Sequence, residues 1–422
     1  MITKTLKSAL AIAIAAASSQ VFASGFALNE QSVSGMGTNF AGRSSSAEDS
    51  TTVFGNPAGM ARLKRQEVSL GAAAIIAKTD IKDTSGLPGN GSNDGDMVPF
   101  TAVPAGYYVN PLNDKWAFGF GVYAPFGLIT DYEGGFQGRY FGDYSEVKVV
   151  TAQPTVSYRF NDQLSVGLGL TVNRISGKLE SAVLNAATPG LNDGRARIKG
   201  DDTALGYNVG VLYEFSPQTR AGLTYHSMVD YKLEGDTRIT GAGFGPFSGS
   251  KYDASLKLKT PESADFSITH DLNDQWTVYG GATFTRWSRL ESIVVQNDGV
   301  PAPLAGNFGT ITEEQNWHDT WAYAIGASYK LNKQWVLRAG LGMDQSPANN
   351  QDRSPRIPTG DRKTLSLGFG WSPTEDLTID VAYSYLKEED VDINQASATK
   401  GVYNATYENS AHGIGTQVSY RF

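Results

Sequence analysis

The feature that most constrains this chain is a period of two in side-chain bulk, held over strand-length runs, with a smaller face that carries little charge. In Trp321–Tyr329 the odd positions are Trp321, Tyr323, Ile325, Ala327 and Tyr329, and the even ones are Ala322, Ala324, Gly326 and Ser328. Leu365, Leu367, Phe369 and Trp371 alternate with Ser366, Gly368 and Gly370. Val166, Leu168, Leu170 and Val172 alternate with Gly167, Gly169, Thr171 and Asn173. The last run sets Ile414, Val418, Tyr420 and Phe422 against Gly413, Gly415, Gln417, Ser419 and Arg421. Two is the side-chain period of a β-strand. A soluble barrel would cover the face opposite its core with Lys and Glu. Here that face is mostly Gly, Ser, Ala and Thr, in a chain with 47 glycines and only 18% charged residues. Bulk facing lipid and small residues facing a lumen fit this pattern better.

The turns give the layout. Short Asn/Asp/Pro connections recur at Asn110–Trp116, Asn161–Leu164, Ser216–Thr219, Leu272–Trp276, Leu331–Trp335 and Ser372–Leu377. Long polar stretches lie between them at Thr79–Met97, Ser181–Gly200, Gln296–Thr312 and Ser346–Arg362. Short turns at one rim and long loops at the other are the arrangement of a transmembrane barrel. Trp116, Trp276 and Trp335 follow short turns, and Phe160 and Phe215 precede them, which predicts an aromatic girdle at one interface. Counting from Glu67 to Phe422 gives fourteen strands, an even number that closes the sheet and leaves no edge in lipid.

Residues 1–23 read as a secretory leader. Lys4 and Lys7 precede the apolar run Ala9–Ala17, and Val21-Phe22-Ala23 offers a cleavage site. Loss of the two lysines takes the net charge of −8 to −10, which argues against nucleic acid as a partner. The chain has no Cys, which rules out disulfides and thiolate metal sites. No cofactor is expected.

A fourteen-stranded barrel is too wide for its own side chains to fill. Residues 24–63 lack the strand period but carry Phe26, Leu28, Val33, Met36, Phe40, Val53, Phe54 and Met60, more apolar bulk than a solvated tail tolerates. The fold expected is therefore all-β: a 14-stranded antiparallel transmembrane barrel over 64–422, with 24–63 as a plug, or hatch, inside its lumen. A second irregularity is Val122–Ile129. Strict alternation from Trp116 breaks at Pro125 and Gly127, and a proline in a closed barrel implies a local kink or gap.

The stretch SGFALNEQSVSGMGTNFAGRSSSAEDSTTVFGNPAGM, Ser24–Met60, resembles the mature N-terminus of the FadL family of outer-membrane long-chain fatty-acid transporters. PLNDKWAFGFGV, LYEFSPQTRAGLTYHS and RAGLGMDQSPANNQDRSPRIPTGDR extend the resemblance. The resemblance implies passive delivery of a hydrophobic ligand. It implies that Phe26 reaches into a tight pocket, with Asn56, Pro57 and Ala58 in the hatch beside it. It also implies a kinked third strand at Pro125, Phe126 and Gly127 that opens the wall sideways, and cationic head-group contacts near Arg174, Lys178 and His318. A hatch held by few contacts could then spoil the tight site by moving.

The expected partners are a long-chain fatty acid or other hydrophobic small molecule, outer-membrane lipid and lipopolysaccharide, and the assembly machinery through C-terminal Phe422. The chain is expected to be a monomer in the outer membrane of a Gram-negative bacterium. Aromatic hydrocarbons or alkanes are the alternative cargo. A general porin would lack the plug, and an outer-membrane enzyme would need a catalytic constellation. The four histidines sit in no recognisable motif, and no G-x-S-x-G occurs.

Overall fold

The computed structural model describes residues 25–89, 91–185 and 192–422; the expected leader lies outside them. Strand segments β1 (Glu67–Leu87), β2 (Thr101–Pro111), β3 (Trp116–Asp131), β4 (Tyr144–Arg159), β5 (Leu164–Val183) and β6 (Gly194–Glu214) form the first part of the wall. They are followed by β7 (Thr219–His226), β8 (Val229–Thr240), β9 (Lys251–Thr260), β10 (Ser263–Asp271), β11 (Trp276–Thr285), β12 (Ser292–Asp298) and β13 (Thr310–Glu314). The wall ends with β14 (Thr320–Lys330), β15 (Trp335–Asp344), β16 (Arg362–Trp371), β17 (Leu377–Glu388), β18 (Val391–Ser397) and β19 (Gly401–Arg421). All pair antiparallel in one sheet. It closes where β1 pairs with both β2 and β19, Glu67 lying opposite Val109 on one side and Arg421 on the other. Five spanning strands are each split into two segments (β7–β8, β9–β10, β11–β12, β13–β14 and β17–β18), so the segments make fourteen spanning strands.

The faces follow the period. Leu168, Leu170, Val172, Tyr323, Ile325, Leu367 and Val418 stand outward and exposed, while Ser165, Asn173, Ser366 and Gln417 face the lumen and are buried. Each of the six short connections forms a tight turn. In each a side chain caps the turn by accepting from a backbone N–H: Asn113 from Trp116, Asn161 from Leu164, Asn273 from Trp276, Asn332 from Trp335, Ser216 from Thr219 and Thr374 from Leu377. Trp116 and Trp276 follow directly and are exposed, as are Phe160 and Phe215.

The stretches expected as long loops are partly strand. β1 continues to Leu87, β5 reaches Val183 and β6 starts at Gly194. A lipid span needs only ~10 residues, so these ladders run on above the membrane. There the outward face meets water instead of lipid and carries charge, so the outward hydrophobic bulk is lost while the backbone pairing persists and inner residues such as Ala182, Ala196 and Tyr403 stay buried.

Residues 25–63 sit inside the barrel. They form a helical turn at Val33–Met36, another at Thr52–Gly55 and a 3₁₀ helix at Pro57–Arg62. Expected as loosely held, the body of this hatch is instead bonded all round. Gln153 donates to the Val53 carbonyl (2.7 Å), and the Val33 N–H donates to Gln417 (3.0 Å). The Ser50 N–H donates to Glu67 (2.6 Å), and Arg220 to the Ser45 carbonyl (2.8 Å). Arg338 joins hatch to wall, donating to Asp380 on β17 (2.7 Å) and to Glu48 of the hatch (3.3 Å). The reason is that the backbone polar groups of a strandless segment must be satisfied in a lumen from which most water is displaced, and the small polar inner face of the wall supplies the partners.

Candidate functional site

The leading segment of the hatch, Gly25–Gln31, is held differently. The pairing of β2 with β3 stops at Gly106–Val122, and the register of β3 against β4 shifts between Tyr123 and Phe126. Pro125 brings no N–H to this stretch, and β2 offers no partner above it. The leading segment takes that edge from the inside. The Leu28 N–H donates to the Pro125 carbonyl (2.9 Å), and the Gly127 N–H donates to the Phe26 carbonyl (2.7 Å), which sets Ala27 directly opposite Phe126. The Gln31 side-chain amide donates to the Ala124 carbonyl (2.5 Å). The break in the wall is thus sealed by a few backbone bonds to the first described residues of the chain.

Phe26 is 4% exposed. Its ring meets Trp287 edge-on at 4.9 Å, with Phe126 at 5.7 Å and Trp317 at 6.1 Å. Beside it runs a narrow cavity of about 70 Å³, walled mainly by aliphatic side chains such as Leu128, Val147, Ile175, Leu233 and Leu258. The cavity is smaller than the ~150 Å³ that accommodates a benzene ring in a protein core. With Phe26 seated, the channel is therefore closed. At its outer end Ile198, Gln315 and Arg356 also line a wide vestibule of about 740 Å³ among the outer loops. Arg356 is buried there, donating through Nε to Glu313 (3.0 Å) and through Nη1 to Ser145 (3.0 Å).

On the other side of the leading segment lies a separate polar cavity of about 120 Å³, lined by Ala27, Glu30, Arg43, Asp265, Asp344 and Arg362 among others. Glu30 is on the hatch and not on a spanning strand. Burial pushes its carboxyl above the usual 4.5, against the pull of its own and the Asn29 N–H and of Arg43 and Arg362.

The structure brings Phe26 together with Pro125, Phe126 and Gly127. The other sequence-derived residues lie elsewhere. Asn56 caps the 3₁₀ helix by accepting from the Ala58 N–H (3.0 Å), and its amide donates to the carbonyls of Ser44 (2.7 Å) and Val211 (2.9 Å). Asn56, Pro57 and Ala58 thus belong to the firmly bonded body of the hatch and do not line the channel. Arg174 faces outward, paired with Asp201 at 2.8 Å, because the strand period turns Asn173 and Ile175 inward. Lys178 has the same parity; its ammonium lies 2.6 Å from Glu180 and over the Tyr144 ring. His318 is exposed, and its neighbour Trp317 is the residue that enters the site. Sequence reasoning missed Trp287, Trp317 and Arg356. The only local signal was an aromatic or a cation outside the alternating runs, in the breaks between β11 and β12 and between β13 and β14 or in the connection after β15, where no strand period assigns a side.

A closed lipid-facing barrel with an internal plug and an apolar inner channel defines an outer-membrane transporter of hydrophobic compounds. The family described as outer membrane protein transport protein (OMPP1/FadL/TodX) matches residues 14–422, and the chain belongs to it. A long-chain fatty acid transport protein of Escherichia coli O6:H1 is 30% identical, each chain covered in full. The crystal structure of a Pseudomonas aeruginosa FadL homologue superposes with a TM-score of 0.85 at 25% identity, covering 94% of this chain and 100% of that one. The toluene transporter TbuX of Ralstonia pickettii shares the fold, with a TM-score of 0.68 at 19% identity, covering 92% and 97%.

Proposed function

We propose that this protein carries long-chain fatty acids passively across the outer membrane, and that unseating the leading segment Gly25–Gln31 opens both the inner channel and the break beside β3. The single observation that carries this reading is that one short segment seals both places, with its Phe26 ring in the channel and its backbone on the broken edge. An acyl chain of sixteen carbons gains on the order of 10 kcal/mol in an apolar channel, at about 0.8 kcal/mol per methylene. That is enough to displace one phenylalanine ring and a few hydrogen bonds. The ligand then leaves sideways into lipid and its chain never meets water. Arg356, buried at the junction of vestibule and channel, is a cation placed to meet an entering carboxylate, with Lys400 also on the vestibule wall. The relative named for long-chain fatty acid transport favours this cargo over the aromatic hydrocarbons of the more distant neighbours.

The test is a cross-link. Ala27 and Phe126 lie directly opposite, flanked by the two backbone bonds and forming a non-hydrogen-bonded pair, the closer kind in an antiparallel ladder. The native chain has no Cys to interfere. The double variant Ala27→Cys/Phe126→Cys should lose oleate uptake by cells when oxidised and regain it on reduction. Uptake that survives full oxidation rules the gate out. Toluene uptake faster than oleate uptake in the same cells assigns the alternative cargo.

A further inference from the structure

Arg174 and Lys178 turn outward into a basic surface that transport does not use. On β5, β6, β8 and β9 the outward positions above the apolar band carry ten Lys or Arg residues, in a chain whose net charge is −8. From Leu164 to Arg174, at ~3.3 Å per residue and a tilt of ~40°, β5 climbs about 25 Å, the height of the lipid-facing band of such barrels. Leu168, Leu170, Val172, Leu205 and Tyr207 fill that height with exposed apolar surface. The cations therefore begin where the hydrocarbon ends.

Their register is unfavourable by itself. Lys232 lies directly opposite Lys257. Higher up, Arg197 lies opposite Arg238, and Arg238 opposite Lys251, which sets three cations in one transverse row. Like charges directly across a sheet repel. Nearby acids are largely spoken for: Asp201 pairs with Arg174, Glu234 with Lys232, and Asp236 is shared by Lys199 and Lys251. Among the described residues Arg197 and Arg238 have no ion-pair partner, and the buried Nε of Arg197 has no hydrogen-bond partner. Lys251 has only a share of Asp236, and the exposed Asp253 lies across from Asp236 while Asp230 lies far down β8 opposite Lys259, so the three cations of the upper row are incompletely neutralised.

We propose that this outward face of β5, β6, β8 and β9 binds lipopolysaccharide, the phosphorylated glycolipid of the outer leaflet. Its acyl chains lie on the apolar band, its lipid-anchored phosphates meet the Lys232–Lys257 tier, and its phosphorylated inner sugars meet the Arg197–Arg238–Lys251 tier. Arg238 stands six residues beyond Lys232 on the same strand, about 20 Å at the usual rise, a span that a simple phospholipid headgroup does not cover. Guanidinium groups match phosphate with paired hydrogen bonds, and basic residues just above a lipid surface are the usual recognition device for anionic headgroups.

The experiment titrates the detergent-solubilised full chain with lipopolysaccharide bearing a phosphorylated core, with bisphosphorylated lipid A, and with dephosphorylated lipopolysaccharide. Each lost cation is expected to weaken binding about fivefold. The variant Arg197→Gln/Arg238→Gln/Lys251→Gln should bind lipopolysaccharide on the order of 100-fold more weakly and lipid A as the parent does. Lys232→Gln/Lys257→Gln should weaken both by about 25-fold. Lys82→Gln/Lys363→Gln/Lys387→Gln, on the opposite wall where each lysine has its own acid, should change nothing. Folded mobility on cold SDS gels confirms that each variant has assembled. Equal binding of the dephosphorylated glycolipid by the unaltered protein overturns the proposal without any variant, and so does an equal loss in the opposite-wall control.

Discussion

Glu30 is the ionisable side chain of Gly25–Gln31, and it sits between an apolar seat and a polar cavity. Because burial raises its carboxyl, the seated segment holds the proton more tightly than the free one. Seating is therefore strongest at a pH below the usual 4.5 and weakens as pH climbs through the raised value, as Glu30 ionises in place. Arg43 and Arg362 face it with Asp265 and Asp344 around the same cavity, so the charge left after ionisation is shared and the segment is loosened but not expelled. A spin label at Ala27→Cys should become more mobile with rising pH, and the added Glu30→Gln change should flatten that dependence. A label equally sensitive to pH with Gln in place would remove Glu30 from the account. At the same scale, Arg174 and His318 show what residue type alone leaves open: a cation in the right stretch says nothing of which way it points.

At the scale of elements, the hatch is seated against a wall cut away to receive it. Gly167 on β5 lies directly opposite Gly210 on β6, and the chain at Asn56–Pro57 lies on both. A Cβ on Gly167 would overlap the Pro57 carbonyl carbon, and one on Gly210 the Asn56 amide oxygen. Gly167→Val should therefore cost about 1–3 kcal/mol of hatch docking while leaving the barrel assembled. In planar bilayers it should raise ion conductance well above that of the parent; conductance that stays at the parent level would mean the hatch tolerates the side chain. The body of the hatch and its leading segment also differ in kind. The body is tied by side chains to many strands, whereas the segment relies on a few bonds to one broken edge. Motion confined to the leading segment leaves intact the Arg338–Glu48 pair that ties the body of the hatch to the wall.

For the whole molecule, the outward band sets where charge is tolerated. Leu170 is 60% exposed and sits within the band. Leu170→Lys should destabilise the barrel in lipid by about 2–4 kcal/mol, while Ser176→Lys, on the same face above the band, should cost about 0–1 kcal/mol. Denaturant titration in bilayers measures both, and equal costs would contradict the assigned membrane level. Closure belongs to this scale too. β1 and β19 pair along almost their full length, and the final N–H, on Phe422, donates to the Gln66 carbonyl at 2.9 Å, so the two ends of the sheet satisfy one another.

The sequence by itself determined the wall. A period of two is a local property of the chain, and six capped turns fix which rim each strand starts from, so strand number, the lipid-facing side and the girdle could all be read one segment at a time. The break at Pro125 and the need for something inside the bore were equally local. Tertiary structure alone decided what meets across the lumen. Trp287 and Trp317 sit in the short breaks between β11 and β12 and between β13 and β14, where no strand period holds, and they close on Phe26 only because the sheet's register and curvature carry them there. The same non-local geometry left β2 short of the upper half of β3 and gave that free edge to Phe26 and Leu28. No pattern within either segment encodes that pairing, because its energy is realised only once the cylinder has closed.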